Sequence, residues 1–268
     1  MNRIRERFRQ LAARREPAFI PFITAGDPSL DMTARIVLEL EKSGADVIEL
    51  GVPFSDPVAD GVVNQEAAQR ALKHGVTLHD IVARVKSLRQ QTQIPLVLFT
   101  YFNPVLAYGL EPFARDAGDA GVDGVLCVDL PPEEAGEYKR LLDARDIATI
   151  FLAAPTSSPE RINLIAANST GFLYYVSRTG VTGERSEVET SVPEMVARIK
   201  AKTTTPVAVG FGISTPEQAA EVGRYADGVI VGSAIVRMIG QYGDSPDTPA
   251  RVGAFAKKLA DAAKGKLA

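Results

Sequence analysis

Pro95-Leu-Val-Leu-Phe-Thr-Tyr101 begins with five apolar residues in succession and lacks a polar residue at alternate places. A run this short is strand-sized, and one without alternation belongs where both faces are covered, as in a parallel sheet flanked by helices. Gly228-Val-Ile-Val231 has the same character near the other end of the chain. Outward from these two, short apolar runs alternate with longer amphipathic stretches from Ala18 to Met238, the order of repeated β-α units. Eight strand candidates emerge: Ala18 to Thr24, Asp46 to Gly51, Pro95 to Tyr101, Gly124 to Asp129, Ala148 to Ala153, Gly171 to Val176, Pro206 to Gly210 and Gly228 to Gly232.

Helix starts fall between them. Asp27-Pro-Ser-Leu30, Pro131-Pro-Glu-Glu134, Ser158-Pro-Glu160 and Ser214-Thr-Pro-Glu217 bring proline and early acids together, three of them with a capping residue. Eight strand-helix pairs predict closure into a single (β/α)8 TIM barrel over residues 1–268, a length close to the ~250 residues usual for that fold. An open doubly wound sheet has fewer strands and a glycine fingerprint after the first, which Thr24-Ala-Gly-Asp27 lacks. Three additions to the plain barrel are expected. Ile4, Phe8 and Leu11 recur at helical spacing, so the arginine-rich N-terminus reads as an extra helix packed over the barrel's end rather than a transit peptide. The unit from Asp46 to Pro95 is the longest, which predicts extra helices in crossover 2. Past Gly240 a turn-rich segment leads into a last helix, Pro249 to Ala263.

Composition narrows the function. A net charge of -3 gives no field for gathering polyanions, which argues against nucleic-acid binding. Cys127 is the only cysteine, so no disulfide forms within the chain, and a reducing cytoplasmic setting is expected. No run approaches the roughly 18 apolar residues of a membrane span.

Within Asp46-Val-Ile-Glu-Leu-Gly51, Ile48 and Leu50 share one face and Val47 and Glu49 the other. One face must meet helices, so Glu49 points into the barrel, where desolvation raises a carboxyl pKa toward neutrality. A group of that kind both gives and takes protons; the plainer reading is a glutamate paired with backbone or arginine. Gly51-Val-Pro-Phe-Ser-Asp-Pro-Val-Ala-Asp-Gly61 then carries Asp56 and Asp60. Asp60 faces Glu49 across a ligand if the loop folds over the mouth, and is otherwise an ordinary turn residue. Phosphate is expected late in the chain, at Gly210-Phe-Gly-Ile-Ser214 and Gly232-Ser-Ala-Ile235, with Gly180-Val-Thr-Gly183 completing the cradle. All ten lysines lie outside the strand candidates, which argues against a Schiff-base aldolase. His74 and His79 lie in the second crossover, read as surface or helix-end, so no metal site is expected at the mouth.

Phe19-Ile-Pro-Phe-Ile-Thr-Ala-Gly-Asp-Pro28, Val47 through Gly61, Ser177-Arg-Thr-Gly-Val-Thr-Gly183 and Gly210-Phe-Gly-Ile-Ser214 together resemble the tryptophan synthase α-chain family, in register over nearly the whole chain. The resemblance implies a lyase that splits indole-3-glycerol phosphate into indole and glyceraldehyde 3-phosphate. It makes Glu49 the proton-transferring group and Asp60 the partner of the indole N–H, with Tyr174 beside Glu49. Phe22, Phe99, Tyr101, Leu126, Val128, Leu152, Tyr174 and Phe211 would enclose the ring, and Gly183, Gly212, Gly232 and Ser233 would meet the phosphate.

The same resemblance implies closing loops at about 53–60 and 178–190, coupled through Arg178 and Thr182, with Thr182 near Asp60. It implies no cofactor in this chain and a β-chain partner carrying pyridoxal phosphate in an αββα heterotetramer, faced by Asp56 and a loop from Asn103 to Tyr108. One departure stands out: after Asp60-Gly61 the family often has proline and an aliphatic residue, and here Val62-Val63-Asn64 follows. The rival readings are another phosphate-binding barrel enzyme of a neighbouring pathway and a non-catalytic activating subunit.

Overall fold

A computed structural model describes residues 2–177, 192–210 and 212–266. Nine parallel strand segments alternate with helices along the chain: β1 (Ala18–Thr24), β2 (Ile48–Gly51), β3 (Leu96–Thr100), β4 (Gly124–Cys127), β5 (Ala148–Ile150), β6 (Leu152–Ala153), β7 (Leu173–Val176), β8 (Val207–Gly210) and β9 (Gly228–Val231). Their order in the sheet is β5-β4-β3-β2-β1-β9-β8-β7-β6. The two end segments are separated in the chain by Phe151 alone, so the sheet returns on itself as a barrel of eight strand positions. All eight sequence-derived strands are present, with ends trimmed by up to two residues and the fifth split at Phe151.

Strand alternation sorts side chains into two layers. Ile48, Leu50, Leu96 and Leu98 point outward into the core shared with the helices, whereas Val47, Val97, Leu126 and Ile150 fill the barrel. The expected N-terminal helix is α1 (Arg3–Arg14), with Ile4, Phe8 and Leu11 buried. It closes the barrel floor: Phe8 meets Phe172 with ring centroids 5.8 Å apart. The Ile4 Cδ1 methyl occupies the space a Cβ at Gly124 would need, 2.9 Å away, so a bare strand residue there admits the helix. Asn2 caps α1 by accepting from Ile4 N–H and donates to the carbonyls of Asp123 and Asp146, both at 2.7 Å.

The second crossover holds two helices, α2 (Leu30–Lys42) having preceded them: α3 (Val62–Leu72) and α4 (Leu78–Leu88). After β3 come α5 (Phe102–Tyr108) and α6 (Leu110–Ala120); α7 (Gly136–Asp143), α8 (Pro159–Asn168), α9 (Val192–Lys200), α10 (Pro216–Gly223) and α11 (Ser233–Tyr242) follow in turn, and α12 (Thr248–Ala263) ends the fold. Two local expectations are corrected. Pro131 to Glu134 is not a helix start but a turn, closed by Glu134 N–H on the Pro131 carbonyl at 3.1 Å, and α7 begins later at Gly136. Proline at 132 keeps its predecessor out of the helical region, which delays the helix. Asn103 to Tyr108 is not a loop but lies within α5, because Pro104 falls in the first turn, where no N–H is missed, and the Asp129 carboxylate accepts from Phe102 N–H at 2.7 Å. Among the described residues no helix is long and apolar enough to cross a membrane.

Three aspartates clamp the barrel at the strands' N-terminal ends. Asp46, Asp123 and Asp227 stand just before β2, β4 and β9, and accept from the backbone N–H of Phe19, Leu96 and Val207 on neighbouring segments at 2.8, 2.9 and 2.8 Å. Each also holds a cation: Lys264 on Asp46 at 2.7 Å, Arg89 on Asp123 at 2.6 Å and Lys200 on Asp227 at 2.7 Å. Asp123 is the most enclosed of these pairs with Arg89, at 2% and 11% side-chain exposure. Removing one member strands the other without water, a change that costs about 3–5 kcal/mol. Asp123→Ala is therefore expected to lower the unfolding free energy by about 3 kcal/mol or more, read as a drop in urea midpoint; an unchanged midpoint would show that the clamp carries no stability.

Candidate active site

Glu49 occupies the inward face of β2, level with Phe22 of β1 and Val97 of β3. Its outward neighbours Ile48 and Leu50 anchor in the helix-facing core, and this fixes its direction. The side chain has no solvent exposure, and neither carboxyl oxygen has a hydrogen-bond partner among the described residues. Burial pushes its pKa up to about 8. Among the described residues no backbone group or arginine satisfies this glutamate, so the plainer alternative is not found there. Tyr174 on β7 has its hydroxyl pKa raised well above the ordinary value, by burial first and then by the negative charges of Glu49 and Asp60. The ring lies over bare Gly210, where a Cβ would collide with the hydroxyl and ring atoms.

Asp60 comes over the mouth on the loop that follows β2. Tyr101, just past β3, donates its hydroxyl to Asp60 Oδ2 at 2.9 Å and accepts the Ala59 N–H at 3.0 Å, so one phenol holds both the carboxylate and its loop. Gln65 donates to the Asp60 carbonyl at 2.8 Å. Burial raises the Asp60 pKa, while the Tyr101 hydroxyl and the Asn64 side chain pull it down. Tyr101 was expected only to enclose the ring; its bond to Asp60 joins residues 41 apart in sequence, which no local pattern announces. Phe54 packs on Tyr101 at 5.0 Å between centroids and was not foreseen either.

A pocket at the strands' C-terminal ends is walled by Phe22, Phe99, Tyr101, Phe54, Asp60 and Asn64, with Thr24, Gly51, Val52 and Ala68. Phe22 and Phe99 meet edge to face at 5.2 Å, and Phe99 lies 6.4 Å from Tyr174. A Cβ at Gly51 would sit 2.5 Å from Phe22 Cζ, so glycine leaves room for the tip of that ring at the strand end. Glu49 lies two residues deeper on β2 than Gly51, below the pocket walls. Leu126 and Tyr174 belong to the inner barrel cluster, with Val128, Leu152 and Phe99 packed against it. The fold thus gathers Phe22, Phe99 and Tyr101 around Asp60, and the other four line the barrel interior.

On the phosphate side, Gly212 has a φ of 78°, a left-handed conformation suited to glycine. Gly232 and Ser233 join β9 to α11, a helix whose N-cap Gly232 supplies no side-chain hydrogen bond. The Ile235 and Val236 amides bond back to the Gly232 carbonyl at 2.9 and 3.1 Å, and the Ser233 and Ala234 amides at the start of the helix are the kind that suit an anion. Gly232 also adjoins the pocket, a Cβ there lying 3.5 Å from the Phe22 ring. Arg178, Gly180, Thr182, Gly183 and Phe211 lie outside the described residues. His74 and His79 are exposed, and His79 stacks on Tyr108 at 3.6 Å. Among the described residues no cluster of three His, Cys, Asp or Glu is placed to hold a metal ion.

An enclosed proton-bearing carboxyl beneath an aromatic-walled pocket, with a second carboxyl in the pocket wall, suits proton transfer to a flat apolar ligand. Residues 8–264 match the family described as tryptophan synthase alpha chain. The chain is similar to tryptophan synthase alpha chains of Geotalea daltonii, 54% identical over 90% of this chain and 92% of the relative, and of Geotalea uraniireducens, 53% identical over 97% of both. In fold it resembles tryptophan synthase subunit alpha from Legionella pneumophila, with a TM-score of 0.88, 40% identity and 99% of each chain covered. A tryptophan synthase structure from Mycobacterium tuberculosis gives a TM-score of 0.89 at 38% identity over 98% of each chain. With sequence and fold agreeing from end to end, the chain belongs to the tryptophan synthase alpha chain family.

Proposed function

We propose that Glu49 and Asp60 carry out the metal-free cleavage of indole-3-glycerol phosphate to indole and glyceraldehyde 3-phosphate. Membership of the family makes the chain a lyase of tryptophan biosynthesis; the assignment of steps to residues is ours. The supporting observation is the unpaired, fully buried Glu49 carboxyl with its pKa near 8. Holding its proton at neutral pH, Glu49 gives it to indole C3, which makes the ring an electron sink. The resulting carboxylate takes the proton of the side-chain hydroxyl next to the ring, and the carbon–carbon bond breaks as the aldehyde forms. Asp60 accepts the indole N–H and stabilises the positive character that develops there.

Phe22, Phe99, Tyr101, Leu126, Val128, Leu152, Tyr174 and Phe211 enclose the ring in this reading, and Gly183, Gly212, Gly232 and Ser233 bind the phosphate. Arg178 and Thr182 couple the 178–190 loop to the loop bearing Asp60. Closure excludes water around the carboxyls. Indole passes to a β chain, which holds pyridoxal phosphate and makes tryptophan with it in an αββα heterotetramer; this chain needs no cofactor of its own. Asp56 and the α5 segment from Asn103 to Tyr108 face that partner, and Asp56 and Leu106 are exposed as such a role requires.

Purified chain is expected to release indole from indole-3-glycerol phosphate, and added β chain to raise the rate. No indole under either condition would leave only a non-catalytic activating role, and indifference to the β chain would remove the loop coupling.

A further inference from the structure

Five buried side-chain atoms among the described residues have no hydrogen-bond partner, and three of them belong to this one site: both Glu49 oxygens and Asn64 Oδ1. Asn64 stands in the first turn of α3, its N–H bonded to the Gly61 carbonyl at 3.0 Å, and its side chain forms part of the pocket wall beside Asp60. The orientation of the amide follows from its neighbour. A carboxyl that already accepts from Tyr101 attracts a donor, so the Asn64 nitrogen faces Asp60, in keeping with the downward pull of Asn64 on the Asp60 pKa. The oxygen is then the end of the amide left enclosed and without a partner among the described residues, in a side chain that stands beside Asp60 in the same wall. Buried acceptors are nearly always satisfied, and one left open in a pocket wall marks a place where a ligand supplies the donor.

We propose that Asn64 is a specificity residue of this site, its Oδ1 accepting a hydrogen bond from a ring donor of the bound aromatic and sharing with Asp60 the recognition of the indole N–H. The inference rests on the indole site of the proposed function. An aliphatic side chain at this place has no acceptor, so this chain reads the ring nitrogen with two side chains, one charged and one neutral. A site with two such acceptors discriminates against a ring of the same shape that lacks the donor, because both acceptors are then stranded.

The test compares indole with indene, which has the same outline and no N–H, by NMR titration of the whole chain with each. Wild type is expected to prefer indole. Asn64→Leu is expected to weaken indole by about ten-fold and to tighten indene, because no acceptor is stranded beneath it. The tightening is the decisive readout, since a loss of packing or loop order weakens both ligands alike. Parallel weakening of both ligands in Asn64→Leu, an unchanged ratio, or no preference in wild type overturns the assignment. Cleavage of indole-3-glycerol phosphate by the same wild-type sample reports separately on the proposed function: a chain that releases indole but shows an unchanged ratio loses only the role of Asn64.

Discussion

Glu49→Gln is expected to abolish release of indole from indole-3-glycerol phosphate while the substrate still binds. The exchange keeps the shape of a side chain that has no hydrogen-bond partner among the described residues, so none of them is unpaired by it. What disappears is a transferable proton. One carboxyl is assigned both the donation to carbon and the later removal of the hydroxyl proton, and each positioned transfer contributes about 10²- to 10⁴-fold. Losing both predicts a fall in kcat of about 10⁴-fold or more, with affinity carried by the aromatic walls, Asp60 and the phosphate glycines largely kept. Single-turnover indole release measured beside a substrate titration separates the two. Turnover near the wild-type rate would falsify the role of Glu49.

The same substitution is expected to stabilise the protein, more so as pH rises. The Glu49 carboxyl goes from an ordinary 4.5 to about 8 on folding. Between those values the folded chain holds a proton that the unfolded chain has released, so stability falls with rising pH, at up to ~1.4 kcal/mol per pH unit for this one group. Below about 4.5 both states are protonated and the group contributes no slope; above about 8 both are ionised and the loss is complete. Glutamine does not titrate. The difference in unfolding free energy between Glu49→Gln and wild type should thus be small at pH 4.5 and grow to several kcal/mol by pH 8.5, followed by urea unfolding across that range. A difference that stays flat with pH would mean that the carboxyl ionises as freely inside the barrel as outside, and it would then have no proton to give at neutral pH.

The barrel was legible because its strands are covered on both faces. Pro95 to Phe99 and Gly228 to Val231 are uninterrupted apolar runs, and the observed β3 and β9 are built on them. The inward direction of Glu49 followed from alternation alone, since Ile48 and Leu50 could not both face the barrel and the helices. Alternation does not say what lies across the barrel, so the lack of any partner for Glu49 had to come from three dimensions. The helix start at Pro131 was misread because proline and early acids were present without a capping residue, and Pro132 keeps Pro131 out of the helical region. Asn64 was visible only as a departure from the resembling family, and its neighbours gave it a role. The aspartate clamps went unread although their signal was on the page: Ala45-Asp46, Val122-Asp123 and Ala226-Asp227 each set a small or branched apolar residue and an aspartate just ahead of a strand.

Those clamps all grip the rim where strands begin, whereas Asp60, Tyr101, Asn64 and Gly232 gather where strands finish. The molecule is accordingly a chassis with its fastenings at the base and its tooling at the top. Segments following the strands can be lengthened, exchanged or redesigned for other aromatic ligands without loosening a single fastening, which makes this barrel a sound host for grafted chemistry.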